Sequence, residues 1–415
     1  MWTFIIYFLI PLLGTVSIFW IAAYFLPFHF FITNFFLPFL GILMGLSIAG
    51  AIYGTRRSKL VSSLLPNELR SREQQIRHLA DRIRTGQSSA IIGFFSEERR
   101  TILGYLRNEN PKQQEELYGD KANQLIFSYI DIAFLDKECS PSQFWEMALE
   151  PLRIKITDSE QLDKAYQACQ DNQFNKRSLE NLISLVNQKG WRLVLLLDKF
   201  EELLQHPHFK KNWEFFTTLR ALAALRTPSP LALVIASHSS LEEFHKKIKH
   251  LSPSASPVLN FIGETAVLGS LSEAEIDNLL DQNDLPLSQT NRKLIKDMAG
   301  GHPYLLQNAL LALHEVSLQG KELLEQSVKE AFSLRIENVV LEDDIKFWPP
   351  RTCHAFFTVL QQRDISGFEN ELKKLETHGL IAKVNGEWQI RAQIFLKLLA
   401  NQNKQLCKEK QMLES

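Results

Sequence analysis

A run of consecutive apolar residues, 193–197, ends at Asp198 near the middle of the chain. A short unbroken apolar run bounded by polar residues is typical of a strand that is buried on both faces of a parallel sheet. An acid at the carboxyl end of such a strand lies at the edge where α/β folds bind their ligands. Two interpretations stay open: Asp198 is a ligand-binding acid, or it caps the helix predicted to begin near Phe200.

Other apolar segments alternate with helical patterns on both sides of this strand. The pattern predicts further strands at residues 88–93, 124–132 and 231–236, and a helix at 60–86 that ends at Gly86. After residue 268 the pattern is helical through about residue 331. Apolar strands separated by helices indicate a three-layer α/β domain with a parallel sheet.

The segment after the first of these strands has the position of a phosphate-binding loop but few of its residues. The pattern GxxxxGK[ST] begins here at Gly93. Its second Gly, its Lys and its Ser/Thr positions hold Glu98, Arg99 and Arg100. We expect a loop over 94–100 and a helix from Thr101, whose hydroxyl could replace the missing one. Two arginines at a helix N-terminus can attract an anion, whereas the alternative is an ordinary strand–turn–helix with solvated charges.

The N-terminal part of the chain differs in kind, since no Asp, Glu, Lys or Arg occurs before Arg56. One membrane span needs about 20 apolar residues, and two spans are predicted at about 4–26 and 30–53. Basic residues follow the second span directly: Arg56, Arg57 and Lys59. By the positive-inside rule they predict a plasma-membrane or inner-membrane protein whose bulk is cytoplasmic. The short uncharged turn favours an anchor over a transporter, and a hairpin that perturbs the membrane stays open as an alternative.

The C-terminal part predicts a winged helix. Helices are expected at about 351–362 and 366–378, followed by a hairpin across Asn385-Gly386 and a last helix. The second helix mixes glutamates with lysines, and the whole chain has a net charge of −1. Neither feature gives the basic surface that nucleic acid requires, so DNA binding is disfavoured relative to a packing or protein-binding role.

Taken together, residues 69–399 resemble the STAND/Orc-like branch of the prokaryotic AAA-type P-loop ATPases. Ser71-Arg72-Glu73 is similar to the Gly-Arg-Glu entry segment of that family, and residues 300–307 (GGHPYLLQ) are similar to its lid signature. The segment Asp198-Lys199-Phe200-Glu201 is similar to its Asp-Glu-Phe-Glu. The resemblance implies ATP or ADP with Mg²⁺. It implies a Mg²⁺ ligand at Asp198 and nucleotide contacts from Arg72, Glu73, Gly93, Arg99, Arg100, Thr101, His302 and Pro303.

The resemblance also implies an architecture. We expect an α/β, P-loop NTPase-like parallel sheet with a helical lid and a C-terminal winged helix, preceded by two transmembrane helices. The corresponding segments are the two-span hairpin 1–55, the α/β domain 56–265, the lid 266–345, the winged helix 346–400 and a polar tail 401–415.

Departures from the family pattern fall on its chemical positions. Lys199 stands where the family has the catalytic Glu, so no catalytic residue is assigned, and Glu201 is a weaker candidate. Phosphoryl transfer rests on positioning and electrostatics, so these changes together should cost several orders of magnitude in rate. We therefore expect a pseudo-ATPase with weak or lost nucleotide binding, acting as a membrane-anchored signalling or scaffold subunit beside a second copy or a homologous ATPase. Two alternatives are an active switch in which Arg99, Thr101 and Glu201 substitute, and a membrane-tethered winged-helix DNA regulator.

Overall fold

The computed structural model describes residues 67–399 except 157–158, 252–258, 283–286, 319–324, 339–344 and 346–347. The two predicted membrane spans and the predicted polar tail lie outside these residues. Within the described part of the chain, no helix combines the length and the apolar character that a bilayer crossing requires.

Five parallel strands form a single sheet in the order β2-β3-β4-β1-β5. The strands are β1 (Ser89–Ile92), β2 (Leu125–Asp131), β3 (Arg192–Asp198), β4 (Leu231–Ser237) and β5 (Glu264–Val267). Every residue of β4 is buried, as is all of β3 after its first residue, which agrees with their unbroken apolar sequences. The register pairs Asp131 with Asp198, so the acids of two neighbouring strands meet at the carboxyl edge.

Strand β5 has no counterpart among the predicted strands. It pairs with β1 at one edge of the sheet, and three of its four residues are exposed. An edge strand of this length is held mainly by backbone hydrogen bonds, so it leaves no apolar periodicity in the sequence.

Helices pack around the sheet. They are α1 (Glu73–Thr85), α2 (Ser96–Leu106), α3 (Pro111–Tyr118), α4 (Pro141–Lys155), α5 (Glu160–Asp171), α6 (Lys176–Gln188), α7 (Trp213–Ala223) and α8 (Leu241–Leu251). Short 3₁₀ helices cover Asn67–Arg72, Gly119–Gln124, Ile132–Phe134 and Phe200–Leu204. Several helices begin where their capping residues predict: Ser140 forms a capping box with Gln143 at α4, and Asn212 caps α7.

The C-terminal part contains two groups of elements. The first group, called the lid below only as a label for its place in the sequence, is helical, with α9 (Glu273–Asp281), α10 (Gln289–Ala299), α11 (Pro303–Leu318) and α12 (Glu325–Asn338). The second group, called the C-terminal elements below, has α13 (Pro350–Leu360), α14 (Glu369–Thr377), β6 (Ile381–Val384), β7 (Glu387–Ile390) and α15 (Gln393–Leu399). Strands β6 and β7 are antiparallel, and Asn385 and Gly386 between them both have positive φ, as an Asn-Gly hairpin turn requires. This is the element order predicted for a winged helix, and that identification stays a prediction.

Buried apolar side chains form two clusters. The first lies around the sheet and the helices of the α/β domain. The second lies within the lid and the C-terminal elements. Among the described residues, the buried members that the α/β domain contributes to this second cluster are Phe94 and Phe95, which directly follow β1 and Gly93. These two side chains therefore join the α/β domain to the elements that follow it in the described chain.

Candidate functional site

The connection between β1 and α2 is only three residues long, from Gly93 to Phe95. The predicted loop over 94–100, with a helix from Thr101, is therefore wrong, because α2 begins at Ser96. Two acidic residues in the first turn of α2 favour this early start, since carboxylates are stabilising at a helix N-terminus. The consequence is that Glu98, Arg99 and the residues after them lie on a helix.

Phe94 and Phe95 are each only 1% exposed. The ring of Phe94 contacts those of Trp348, at 4.6 Å between centroids, and His378, at 4.5 Å. The ring of Phe95 lies 4.4 Å from that of His302. Side chains of the connection thus occupy the space between the sheet edge, the lid and the C-terminal elements.

Gly93 is required by a close approach. A Cβ at this position would lie 2.9 Å from Cδ1 of Leu268, nearer than real Cβ atoms come to a neighbour. The carbonyl oxygen of Gly93 accepts a hydrogen bond of 2.5 Å from Nη1 of Arg99. Gly93 therefore allows close packing against Leu268, and its carbonyl oxygen helps to hold the guanidinium of Arg99.

The guanidinium of Arg99 also contacts Asp198, with 3.3 Å between Nε and Oδ1. The side chains are 2% and 0% exposed, so the pair is fully removed from solvent. Burial raises the pKa of the Asp198 carboxyl, and the charge of Arg99 opposes that rise. The residue predicted to hold Mg²⁺ is thus paired with the residue predicted to contact phosphate.

Lys199 adopts a left-handed conformation, with φ of 51°. Its backbone N–H donates to Oδ1 of Asp198 at 2.9 Å, whereas its side chain turns away to Oδ2 of Asp131 at 3.2 Å. The cap of the following 3₁₀ helix is Lys199 itself, so Asp198 does not act as the helix cap that one interpretation proposed. The lysine that replaces the family's Glu forms a buried bridge between the ends of β3 and β2.

Glu201 is buried in the 3₁₀ helix after β3 and contacts Nδ1 of His238. Oε1 of Glu201 also accepts a hydrogen bond of 3.3 Å from the backbone N–H of His238. Burial alone would raise the pKa of Glu201, but the His238 ring and Arg99 hold that pKa below its ordinary value. Burial lowers the pKa of His238, and the Glu201 carboxylate opposes that decrease.

Glu98 is the central residue that sequence reasoning did not assign to the site. Its Oε1 accepts a hydrogen bond of 2.8 Å from Nε of Arg72, and its Oε2 lies 3.6 Å from Nε2 of His302. Arg72 also donates to the carbonyl oxygen of Gly269 at 2.6 Å. Burial lowers the pKa of His302 well below its ordinary range. The available signal was the position of Glu98 itself, where the family pattern has its second glycine.

The remaining predicted contacts do not converge on this cluster. Glu73 pairs with Arg77 one turn along α1. Arg100 is partly exposed and pairs with Glu97 at 2.5 Å. The hydroxyl of Thr101 donates to the carbonyl oxygen of Glu97 at 2.7 Å, within its own helix. Pro303 is buried at the first position of α11, as its ring geometry allows.

The site is therefore a set of buried opposite charges. Each of three buried cations pairs with one carboxylate: Arg72 with Glu98, Arg99 with Asp198 and Lys199 with Asp131. No group of three or more His, Cys, Asp or Glu side chains among the described residues is arranged to hold a metal ion. Within that same part of the chain, Oδ2 of Asp198 accepts no hydrogen bond.

Comparison with known proteins identifies the family. Residues 134–401 match the family model of the AAA-like domain. Among solved structures, the chain is similar to a Walker-type ATPase of Pyrococcus abyssi, with 12% identity, a TM-score of 0.50 and coverage of 79% of this chain and 95% of that one. It is also similar to the ORC2 protein of Aeropyrum pernix, with 14% identity, a TM-score of 0.49 and coverage of 82% and 93%. No curated protein matches significantly.

At this level of identity, the likeness to the Walker-type ATPase concerns the fold alone. It confirms the predicted P-loop NTPase-like α/β fold with a parallel sheet, which has five strands where the sequence predicted four. The family model spans more than half of the sequence. The chain therefore belongs to the AAA-like domain family.

Proposed function

We propose that this chain is a membrane-anchored AAA-like module that does not hydrolyse nucleotide and that serves as a signalling or scaffold subunit. Its partner would be a protein, either a second copy or a homologous ATPase. The observation that carries the proposal is the side chain of Arg99, which bonds both the carbonyl of Gly93 and the carboxylate of Asp198. In P-loop ATPases the acid at this position holds the Mg²⁺ of the nucleotide, whereas here its carboxylate is paired with a cation of the same chain.

A magnesium–nucleotide complex does not fit the residues around Arg99. Phosphate binding by a P-loop needs several backbone N–H groups that wrap closely around the anion. Here the connection is three residues long, and two of them bury aromatic rings. Glu98 adds a buried carboxylate to the same turn, and the hydroxyl of Thr101 is engaged within its helix. We therefore assign no chemical step to a bound nucleotide.

The membrane part of the proposal rests on the sequence of residues 1–55, which has no charged side chain. Two spans followed by basic residues would hold the AAA-like part at the cytoplasmic surface of the plasma or inner membrane. A module held there without turnover is suited to recruiting or positioning a partner protein. Separation of membranes from soluble protein, with and without residues 1–55, tests this part directly.

Calorimetric titration of the full-length protein in detergent with ATP and ADP, with and without Mg²⁺, tests the nucleotide part. We expect no saturable heat at millimolar nucleotide. The matched control is Asp198→Ala, which should give the same flat titration. Binding that depends on Mg²⁺ and disappears in Asp198→Ala would overturn the proposal.

One observation favours the active switch as a second candidate. Among the described residues, Oδ2 of Asp198 accepts no hydrogen bond although it is buried, and such an oxygen can receive a cation. The same titration separates the two candidates, because an active switch must bind nucleotide and hydrolyse it. Phosphate release that falls in Glu201→Gln would then assign Glu201 as the base.

The DNA-binding alternative has less support from the geometry. In α14, Lys374 donates to Glu243 of α8 at 2.6 Å, and Glu371 pairs with Arg351. His378, directly after this helix, is buried against the carbonyl oxygen of Leu268. A helix held inward in this way has fewer free basic groups to offer a phosphate backbone.

A further inference from the structure

We propose that Phe94 and Phe95, named here the aromatic latch, act as an intramolecular ligand that holds the lid and the C-terminal elements against the α/β domain. The closed arrangement would then require no nucleotide, a role that rests on the proposed function of an inactive site. The latch lies at the carboxyl edge of the sheet, where α/β folds place their ligands.

The two rings reach different parts of the chain. Phe94 lies against Trp348, which precedes α13, and against His378, which follows α14. Phe95 lies against His302 and Tyr304 at the start of α11, with centroid distances of 4.4 and 5.3 Å. Phe94 therefore engages the C-terminal elements, whereas Phe95 engages the lid and also lies 6.5 Å from the ring of Phe395 in α15.

Two polar contacts lie beside the latch: one joins the C-terminal elements to α8 of the α/β domain, and the other joins them to the segment between β5 and α9. Lys374 of α14 bonds Glu243 of α8 at 2.6 Å, and its Nζ also lies 5.8 Å from the centre of the Phe94 ring. Arg391, after β7, donates to the hydroxyl of Ser270 at 2.5 Å. These contacts orient the two sides, while the buried rings supply the apolar area that drives their association.

The C-terminal elements also approach the backbone of the segment between β5 and α9 as closely as in a protein interior. A Cβ on Gly269 would lie 2.5 Å from the carbonyl oxygen of Thr377, and one on Gly379 would lie 2.3 Å from Cβ of Ser270. Such packing leaves little tolerance for a partial opening, because dense interfaces switch between discrete arrangements. Loss of the latch is therefore expected to free the lid and the C-terminal elements together.

Hydrogen exchange measured by mass spectrometry on the full-length protein, without nucleotide, tests the latch. The variants are Phe94→Ala, Phe95→Ala and the double variant. Truncation of a buried Phe typically costs enough for at least a tenfold faster exchange wherever the broken contact limits opening. We expect this acceleration in α11 of the lid, in α14 and in β6–β7, with unchanged exchange in β2 and β3.

Phe209→Ala is the matched control, because Phe209 is equally buried but belongs to the first apolar cluster, against Phe144 and Phe215. It should not accelerate exchange selectively in α11, α14 and β6–β7. Uniform acceleration across the chain in the latch variants, or none in these elements, would overturn the proposal. If the alanine variants do not fold, Phe94→Leu with Phe95→Leu applies the same criterion with the apolar character retained.

Nucleotide titration of the unaltered protein keeps the two proposals separate. Saturable ATP binding together with selective opening of the latch variants contradicts the proposed function and supports the latch. Absence of ATP binding together with unchanged exchange in the variants supports the proposed function and contradicts the latch.

Discussion

Arg99 and Asp198 form a fully buried ion pair across the carboxyl edge of the sheet, with 3.3 Å between Nε and Oδ1. The two residues are far apart in the sequence and lie on different elements, α2 and β3. Asp198 lies at the carboxyl edge of the sheet, where α/β folds bind their ligands. Its charge is neutralised there by a cation of the same chain. It is also the contact on which the proposed loss of nucleotide chemistry depends most.

Removal of Arg99 should therefore be costly. Arg99→Ala leaves the carboxylate of Asp198 buried without its cation, and breaking such a pair typically costs about 3–5 kcal/mol of stability. Arg100→Ala is the matched control, because the partly exposed pair of Arg100 with Glu97 should be worth at most about 1 kcal/mol. Urea unfolding of both variants measures the difference. Equal decreases in the free energy of unfolding would show that the buried pair stabilises the protein no more than the partly exposed pair.

Glu98 should be needed as a carboxylate rather than as a side chain of a certain size. Glu98→Gln keeps the shape but weakens the charge-assisted hydrogen bond from Arg72, which we expect to lower the free energy of unfolding by about 1.5–3 kcal/mol. Glu97→Gln, one residue earlier and at the surface of the same helix, should have a much smaller effect. An unchanged unfolding midpoint in Glu98→Gln would contradict the assigned role.

Acidification should destabilise the protein through His378. Burial lowers the pKa of this imidazole from 6.5 to about 4, while Lys374 and Glu243 face the same ring with opposing charges. Between these values the unfolded chain binds more protons than the folded one, so stability falls as pH falls. The full contribution, reached near pH 4, is about 3 kcal/mol.

Thermal unfolding between pH 7 and pH 4.5 measures this dependence. The slope should be shallower in His378→Leu than in the unaltered chain, because the substituted side chain does not take up a proton. Identical slopes in the two proteins would assign the acid sensitivity to other groups.

Gly379 should tolerate no side chain. Its φ is +73°, and an added Cβ would lie 2.3 Å from Cβ of Ser270, so Gly379→Ala combines backbone strain with a clash at the interface. Gly386 has a φ of +90° but open space around it, so Gly386→Ala should cost only the backbone strain of about 1–2 kcal/mol. Chemical unfolding measures the free energy of unfolding of both variants, and the excess loss in Gly379→Ala is the contribution of the clash. Similar losses in the two variants would show that the clash contributes nothing.

The predictions that held concern periodicity and caps. The apolar runs predicted the buried strands β3 and β4, and Asn385-Gly386 predicted the hairpin between β6 and β7. Each of these signals is local, because it depends on residues within one element. Strand β5 escaped prediction, since an exposed edge strand leaves no comparable local pattern. The early start of α2 was missed although its signal, two acidic residues in the first turn, is local, because the segment was compared with a phosphate-binding loop.

The sequence by itself determined the α/β class, the uncharged N-terminal stretch, the family resemblance and the altered residues at the chemical positions. Only the tertiary structure decided what those altered residues do. Arg99 turns to Asp198, Lys199 turns to Asp131 and Glu98 turns to Arg72. Such pairings join residues from separate elements, because a buried charge without an opposite partner is strongly destabilising. The sequence lists the charges, but the distances that pair them exist only in the folded chain.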